Sequence, residues 1–166
     1  MPLFNMAELR ARVAPGMRLI GLDPGSRVIG VALSDVGLML ASPYGSVKRG
    51  KLAGNARELR GIAEREGAAG LVVGWPLSLD GSVGPAAQAA RDWTHALSEA
   101  TGLPAALWDE RLSSAAVNRF LIAELDMTRK RRAEVVDKMA AAYVLQAALD
   151  GSAIRYGFDE GIAPGG

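Results

Sequence analysis

The feature that most constrains the fold is an apolar stretch over residues 19–35, which a Pro-Gly-Ser turn divides into two short runs of strand-forming residues. Such a pattern predicts a β-hairpin with roughly five residues in each strand. Asp23 ends the first strand, after residues that are expected to be buried. Because an unpaired buried carboxylate is costly, two interpretations are open. Asp23 faces a cation or an open cleft, or it caps the turn formed by residues 24–26.

Length and composition restrict the class of protein. A chain of 166 residues with 49% hydrophobic residues and a net charge of +1 is large enough for one domain with a substantial core. The near-zero charge means that any nucleic-acid-binding surface must be a local patch. The absence of Cys excludes disulfides and thiolate chemistry, and a single His makes a zinc site unexpected.

The sequence shows no signal peptide and no transmembrane segment. No apolar run reaches the roughly 20 residues that span a bilayer, and charged residues interrupt the N-terminal segment. We therefore expect a cytoplasmic protein. We divide it into an N-terminal extension over residues 1–17, a main domain over 18–150 and a C-terminal tail over 151–166.

The hydrophobic pattern after the hairpin predicts alternating strands and helices. We expect a third strand over 37–47 that ends near Pro43, or runs on at a sheet edge, and a helix capped by Asn55 and ended by Gly67. The remaining predicted elements are a buried strand over 70–74, a helix over 85–100, a strand over 105–108, a helix from Ser113 or Ser114 to about 124, a basic loop over 126–132 and a helix over 134–149.

This order of elements defines the expected fold class. Three antiparallel strands followed by β-α-β-α crossovers predict an α/β fold in which helices cover both faces of a mixed five-stranded sheet. The elements also place acidic residues at strand ends, where sites of open α/β sheets gather. Asp23 ends the first strand, and Asp109 and Glu110 end the last.

A further acid, Asp137, lies on an unusual helical face. At 100° per residue it shares that face with small apolar residues at 140, 141, 144 and 148, which is atypical of a solvated helix. The alternative is that Asp137 simply favours the positive end of the helix dipole. If Asp23, Asp137 and an acid at the end of the last strand meet, they need a counter-charge. Oxygen ligands alone suit Mg²⁺ or Mn²⁺.

Four blocks in the sequence resemble those of the YqgF/RuvX family, whose members are described as Holliday junction resolvases and as pre-16S rRNA nucleases. The blocks keep the family's order from about residue 19 to 150, with Ser113-Ser114 where Thr is commoner. They are Asp23-Pro24-Gly25-Ser26 with Gly30-Val31-Ala32 and Ser34-Asp35, then Val72-Val73-Gly74-Trp75-Pro76-Leu77 with Asp80-Gly81-Ser82, then Asp109-Glu110-Arg111-Leu112-Ser113-Ser114, and Val136-Asp137-Lys138-Met139-Ala140-Ala141.

The resemblance implies an RNase H-like fold of the resolvase type and metal-dependent cleavage of phosphodiester bonds. It places the catalytic, metal-binding acids at Asp23, Glu110 and Asp137, with Asp109 and Asp35 as additional candidates. In the implied two-ion mechanism, Asp23 bridges two Mg²⁺ ions that Glu110 and Asp137 help to hold. One ion generates hydroxide from water, and the other stabilises the leaving 3′ oxygen.

Several residues near these acids have two interpretations. Arg111 contacts a phosphate or pairs with Asp109. The cationic run Arg129-Lys130-Arg131-Arg132 is a solvated segment or contacts a nucleic-acid backbone. Trp75 and Tyr44 stack on bases or pack structurally.

The sequence also leaves the substrate open. Pre-16S rRNA 5′-end processing is the leading function, and it is compatible with a monomer. Resolution of four-way DNA is the alternative, and it favours a homodimer because two strands are cut. A non-catalytic nucleic-acid-binding module is a second alternative, although such modules are expected to lose acids that this chain retains. An actin-like or sugar-kinase ATPase also begins with D-x-G after a strand, but it needs two such domains.

Overall fold

A computed structural model describes residues 2–112 and 129–153 of the chain. Its centre is a five-stranded sheet of β1 (Arg18–Pro24), β2 (Val28–Ser34), β3 (Ala41–Lys48), β4 (Ala68–Trp75) and β5 (Ala105–Asp109). The strands lie in the order β3-β2-β1-β4-β5. β1, β2 and β3 are antiparallel neighbours, whereas β4 runs parallel to both β1 and β5. The predicted mixed sheet, with three antiparallel strands followed by crossovers, is confirmed.

Four α-helices accompany this sheet in the described ranges: α1 (Met6–Arg12), α2 (Leu52–Glu66), α3 (Pro85–Thr101) and α4 (Arg129–Gly151), with a 3₁₀ turn over Glu110–Leu112. α2 and α3 end at Gly67 and Gly102, which adopt the left-handed conformation that stops a helix. The helix predicted from Ser113 or Ser114 to about 124 lies outside the described residues, as does the tail beyond residue 153.

The sheet has an apolar core on each face because successive side chains of a strand point to opposite sides. On one face, Ile20 and Leu22 of β1 pack with Leu59 of α2. On the other face, Leu19 packs with Leu145 of α4. Residues 140, 141, 144 and 148 are all buried, so the small apolar face of α4 turns toward the sheet as its composition suggests. Helices therefore cover both faces, as predicted.

Three predicted boundaries are wrong. The third strand does not begin at Gly37 but covers Ala41–Lys48. It is the edge strand of the sheet, where Pro43 is tolerated because an edge residue needs no N–H donor on its outer side. Asn55 is not the N-cap of α2, since the helix begins one turn earlier. Its buried side chain instead accepts a hydrogen bond from the Gly50 backbone N–H at 3.0 Å and donates one to the Lys48 carbonyl at 2.9 Å.

The third wrong boundary is the start of α4. The basic run was expected in a loop ending at residue 132, but α4 already begins at Arg129. Arg and Lys are good helix formers, so four in succession extend a helix as readily as they form a polar loop. The part of that loop before residue 129 lies outside the described residues.

The N-terminal segment packs on the sheet beside β5. Phe4 forms a parallel bridge with Ala106, and its backbone N–H donates to the Ala105 carbonyl at 2.9 Å. Met6 and Leu9 of α1 are buried in the same core as α4. None of the described helices combines the length and the apolar character that crossing a bilayer requires.

Candidate active site

A cleft of about 490 Å³ opens at the carboxyl ends of β1, β4 and β5, and three acidic residues lie on its wall. Asp23 is the penultimate residue of strand β1, Glu110 begins the 3₁₀ turn that follows β5, and Asp137 lies on α4. Strand ends and helical facing marked Asp23, Asp137 and the neighbours Asp109 and Glu110, and the family resemblance selected Glu110. The fold brings Asp23, Glu110 and Asp137 to one cavity although they are far apart along the chain.

Asp23 lies at the centre of this arrangement, between two glycines of the neighbouring strands. Its register partner on β2 is Gly30. On β4, Gly74 follows Val73, which is the partner of Leu22. Asp23 is only 8% exposed. Because Ile20 and Leu22 face the core beneath α2, the alternation of β1 turns Asp23 toward α4.

Gly30 allows α4 to approach the sheet at this point. A Cβ on Gly30 would lie 2.6 Å from the carbonyl carbon of Asp137 and would overlap its carbonyl oxygen. No side chain fits between β2 and the backbone of α4. The missing side chain therefore lets residue 137 sit directly over the end of the β1–β2 hairpin, beside Asp23.

Gly74 provides the corresponding space on the other side of Asp23. A Cβ on Gly74 would lie 3.2 Å from both Cγ and Cδ of Glu110. The Glu110 side chain therefore lies across the backbone of β4, on the position that a larger residue at 74 would occupy. Two glycines thus make room for the two acids that flank Asp23.

The donor set suits a hard divalent cation, because the described residues that line the cleft include three carboxylates and no sulfur or imidazole side chain. Among the residues that the structure describes, no group of three or more His, Cys, Asp or Glu side chains is arranged to hold a metal ion by itself. Mg²⁺ commonly binds one or two carboxylates and completes its shell with water and substrate phosphate. The residues fit a cation shared with a phosphate better than a closed site made of protein ligands alone.

Asp109 and Arg111 pair with each other beside the cleft. Nη2 of Arg111 donates to Oδ2 of Asp109 at 2.7 Å, and its Nε and backbone N–H donate to Oδ1, each at 3.0 Å. These bonds, led by that of the Arg111 side chain, lower the pKa of Asp109. Nη1 also donates to the Leu79 carbonyl at 3.1 Å. Of the two interpretations of Arg111, the structure shows the pairing with Asp109. Together with the bond to Leu79, this pairing links the 76–84 loop to the end of β5.

Asp35 lies at the opposite end of the sheet from Asp23. It follows the C-terminus of β2, whose Leu33 pairs with Ile20 near the start of β1. Its Oδ1 accepts the backbone N–H groups of Leu40 at 3.1 Å and Met39 at 2.8 Å, and these two bonds lower the pKa of Asp35. The structure therefore does not bring Asp35 to the cleft.

Comparison with known proteins identifies the family. The family model described as "RuvX: Holliday junction resolvase" matches residues 17–151. The chain belongs to the RuvX family. The assignment suggested by the four sequence blocks is confirmed.

Relatives of this RuvX protein match along nearly their whole length. A protein from Gluconacetobacter diazotrophicus is 67% identical over 92% of this chain and 99% of its own. One from Gluconobacter oxydans is 66% identical over 92% of this chain and 95% of its own. Both carry the name "Putative pre-16S rRNA nuclease".

A solved structure shows the same fold. Thermus thermophilus RuvC, in complex with a Holliday junction substrate, superimposes with a TM-score of 0.50 at 16% identity, over 81% of this chain and 94% of its own. At that identity the likeness concerns the fold, and it confirms the RNase H-like architecture of the resolvase type.

The cationic run of this RuvX protein lies in the first turn of α4. The side chains of Arg129 to Arg132 lie outside the described residues. The backbone places Arg132 five residues before Asp137, which is about 8 Å along a helix axis. The run therefore belongs to the helix that carries an acid of the cleft.

Two other residues of the cleft were missed from the sequence. Arg49 follows β3, and Trp93 lies on α3; both line the cleft. Trp75, expected to pack or to stack on a base, donates from Nε1 to the Ala87 carbonyl at 2.9 Å and so attaches α3 to the end of β4. Tyr44 donates to a Glu66 carboxylate oxygen at 2.9 Å. The sequence signal that could have identified Trp93 is the helical spacing of Ala86, Ala89, Ala90 and Trp93, which places them on one face of α3.

Proposed function

We propose that this protein is a metal-dependent endonuclease that hydrolyses phosphodiester bonds in structured nucleic acid, and that its substrate is the 5′ end of pre-16S rRNA. The observation that carries the proposal is the convergence of Asp23, Glu110 and Asp137 on one cleft. Family membership and the names of the relatives that match 99% and 95% of their own length support it. A cytoplasmic location accords with this substrate.

The proposed ligands are the three acids, and the proposed cofactor is Mg²⁺ or Mn²⁺. A bound divalent cation supplies Lewis-acid stabilisation of the charge that develops during phosphodiester hydrolysis. Asp23 is the central ligand because it lies near the end of a buried strand, where it pairs with Gly30 of β2 and the preceding Leu22 pairs with Val73 of β4. The Glu110 side chain packs on Gly74 and the Asp137 backbone packs on Gly30, so the β4 and β2 backbones position both acids.

The chain's own cations contribute to substrate binding in this proposal. Arg129, Lys130, Arg131 and Arg132 begin the helix that carries Asp137, so their charge attracts a phosphate backbone toward the cleft. Arg111 acts indirectly, since it holds Asp109 and the Leu79 carbonyl at the cleft's border. Neither Asp109 nor Asp35 is proposed as a ligand.

The test compares wild type with Asp23→Asn in Mg²⁺-dependent cleavage of a pre-16S rRNA 5′ segment. Asp150→Asn is the matched control, because Asp150 is an exposed acid at the far end of α4. We expect Asp23→Asn to lose at least about 100-fold in rate, as removal of one electrostatic group in an active site does, while Asp150→Asn cleaves like wild type. Equal rates for wild type and Asp23→Asn would rule out this site.

The family model's own description favours a second candidate, resolution of four-way DNA. A resolvase cuts two strands, so it would act as a homodimer, whereas an RNA-processing enzyme can act as a monomer. Cleavage of a four-way DNA junction in the same assay, together with the native mass of the active species, separates the two. Faster cleavage of the junction by a dimer would replace rRNA as the proposed substrate.

A further inference from the structure

One wall of the cleft carries none of the three acids. It consists of Arg49, which follows β3, and of one face of α3 carrying Trp93 and three alanines. None of the described residues on this wall is acidic. The wall therefore differs in chemistry from the part of the cleft that carries the carboxylates.

Arg49 is held in place by a backbone carbonyl and an aromatic ring. Its Nη1 donates to the Gly25 carbonyl at 2.8 Å, in the turn directly after Asp23. Its guanidinium carbon lies 5.2 Å from the centroid of the Trp93 ring. Within the described part of the chain, Arg49 makes no ion pair. A fixed planar cation against an aromatic ring is a surface on which nucleobases stack and to which phosphates bind.

The volume of the cleft leaves room for more than a cation. At about 490 Å³ it falls within the roughly 300–1,000 Å³ of pockets that hold small organic ligands. One water molecule takes only about 30 Å³. A nucleotide therefore fits beside a hydrated ion. In a continuous duplex each base is paired and stacked on its neighbours, so a base can enter the cleft only after it leaves the helix.

We propose that the Arg49–Trp93 wall binds an unpaired nucleobase next to the phosphodiester that the acids address. The protein then cuts single-stranded or frayed nucleic acid in preference to continuous duplex. This inference rests on the proposed nuclease function and adds that the nucleotide next to the cleaved bond is unpaired.

Two substitutions test the wall in different ways. Ala89→Leu fills the space, and because Ala89 is exposed the change does not disturb the core. Its control is Ala100→Leu, the same change at an exposed position of the same helix that does not line the cleft. Arg49→Lys keeps the charge but removes the plane. Its control is Arg57→Lys on α2, also outside the cleft.

The probe is a short single-stranded RNA carrying 2-aminopurine at successive positions, compared with the same strand annealed to its complement. Binding is followed in Ca²⁺ by anisotropy and by quenching of 2-aminopurine, and the strand is checked for intactness afterwards. We expect quenching at one position of the single strand only. Ala89→Leu and Arg49→Lys should each weaken single-strand binding about fivefold or more, the lower end of what one stacked base contributes. Both controls should bind like wild type.

Two results overturn the inference. One is unchanged single-strand binding and quenching in Ala89→Leu. The other is an equal loss for single strand and duplex, which would identify a backbone contact instead of a base contact. Cleavage in Mg²⁺ separates this inference from the proposed function. If wild type and Ala89→Leu cleave and bind alike, the base site fails and the nuclease stands. If the single strand binds with position-specific quenching but neither it nor the pre-16S rRNA segment is cut, the nuclease fails and the base site stands.

Discussion

The substitution Gly30→Ala tests how the fold assembles the candidate site. The added Cβ would lie 2.6 Å from the Asp137 carbonyl carbon, whereas ordinary contact begins at 3.4 Å. The two backbones must therefore separate by about 0.8 Å at least. Neither side can give way cheaply, because one partner is the inner part of a sheet and the other is helix backbone.

The expected cost has two parts. Overpacking of this kind typically destabilises a protein by about 1–3 kcal/mol. The displacement also moves Asp137 away from Asp23, and a misplacement of about 1 Å in an active site can cost about 100-fold in rate. We therefore expect Gly30→Ala to remain folded at 25 °C but to cleave RNA roughly 100-fold more slowly.

The assay combines urea unfolding with Mg²⁺-dependent cleavage. The matched control is Gly45→Ala on the adjacent strand β3, where a Cβ would meet nothing within 4 Å. The control should retain the wild-type rate and midpoint. If Gly30→Ala matches the control in both measurements, α4 does not sit on β2 at residue 30, and the positioning of Asp137 described above is wrong.

Two further predictions concern stability. Asn55→Ala should lower the free energy of unfolding by about 1–3 kcal/mol, because the Gly50 N–H and the Lys48 carbonyl lose their partner; urea unfolding measures it, and no change would refute the role. Asp109→Asn should lose stability relative to wild type above about pH 4. Arg111 lowers the pKa of Asp109, so the pair contributes fully above the ordinary value and is lost as pH falls through the lowered one. Urea midpoints from pH 7 downward should converge, and a constant gap would contradict this reasoning.

Much of the fold could be predicted because local patterns and the tertiary structure agree. The hairpin around residues 24–27, the buried strand β4 and the glycine-terminated helices all follow from short-range signals. The boundaries failed where side chains act over a longer range. Asn55 has the spacing of a capping residue, but its side chain bonds to the segment before the helix, at Lys48 and Gly50. The sequence pattern alone cannot distinguish these partners.

The candidate acids could be chosen from the sequence because strand ends and one small apolar helical face marked Asp23, Asp137 and the neighbours Asp109 and Glu110, among which the family resemblance selected Glu110. Their flanking glycines could not be interpreted in the same way. Gly30 and Gly74 are important because of the groups that pack on them, the Asp137 carbonyl and the Glu110 side chain. Those contacts join segments that are far apart in the chain. Arg49 was missed for the same reason, since its relation to Trp93 exists only after β3 and α3 have docked.

The most direct test of the central claim is Mn²⁺ binding, measured by electron paramagnetic resonance in the presence of a phosphorothioate-linked RNA strand that resists cleavage. Asp23→Asn, Glu110→Gln and Asp137→Asn are compared with wild type. If the three carboxylates hold divalent ions together with a phosphate, each substitution should weaken Mn²⁺ binding by at least about tenfold, and Asp150→Asn should not. Wild-type affinity in all three variants would contradict the account.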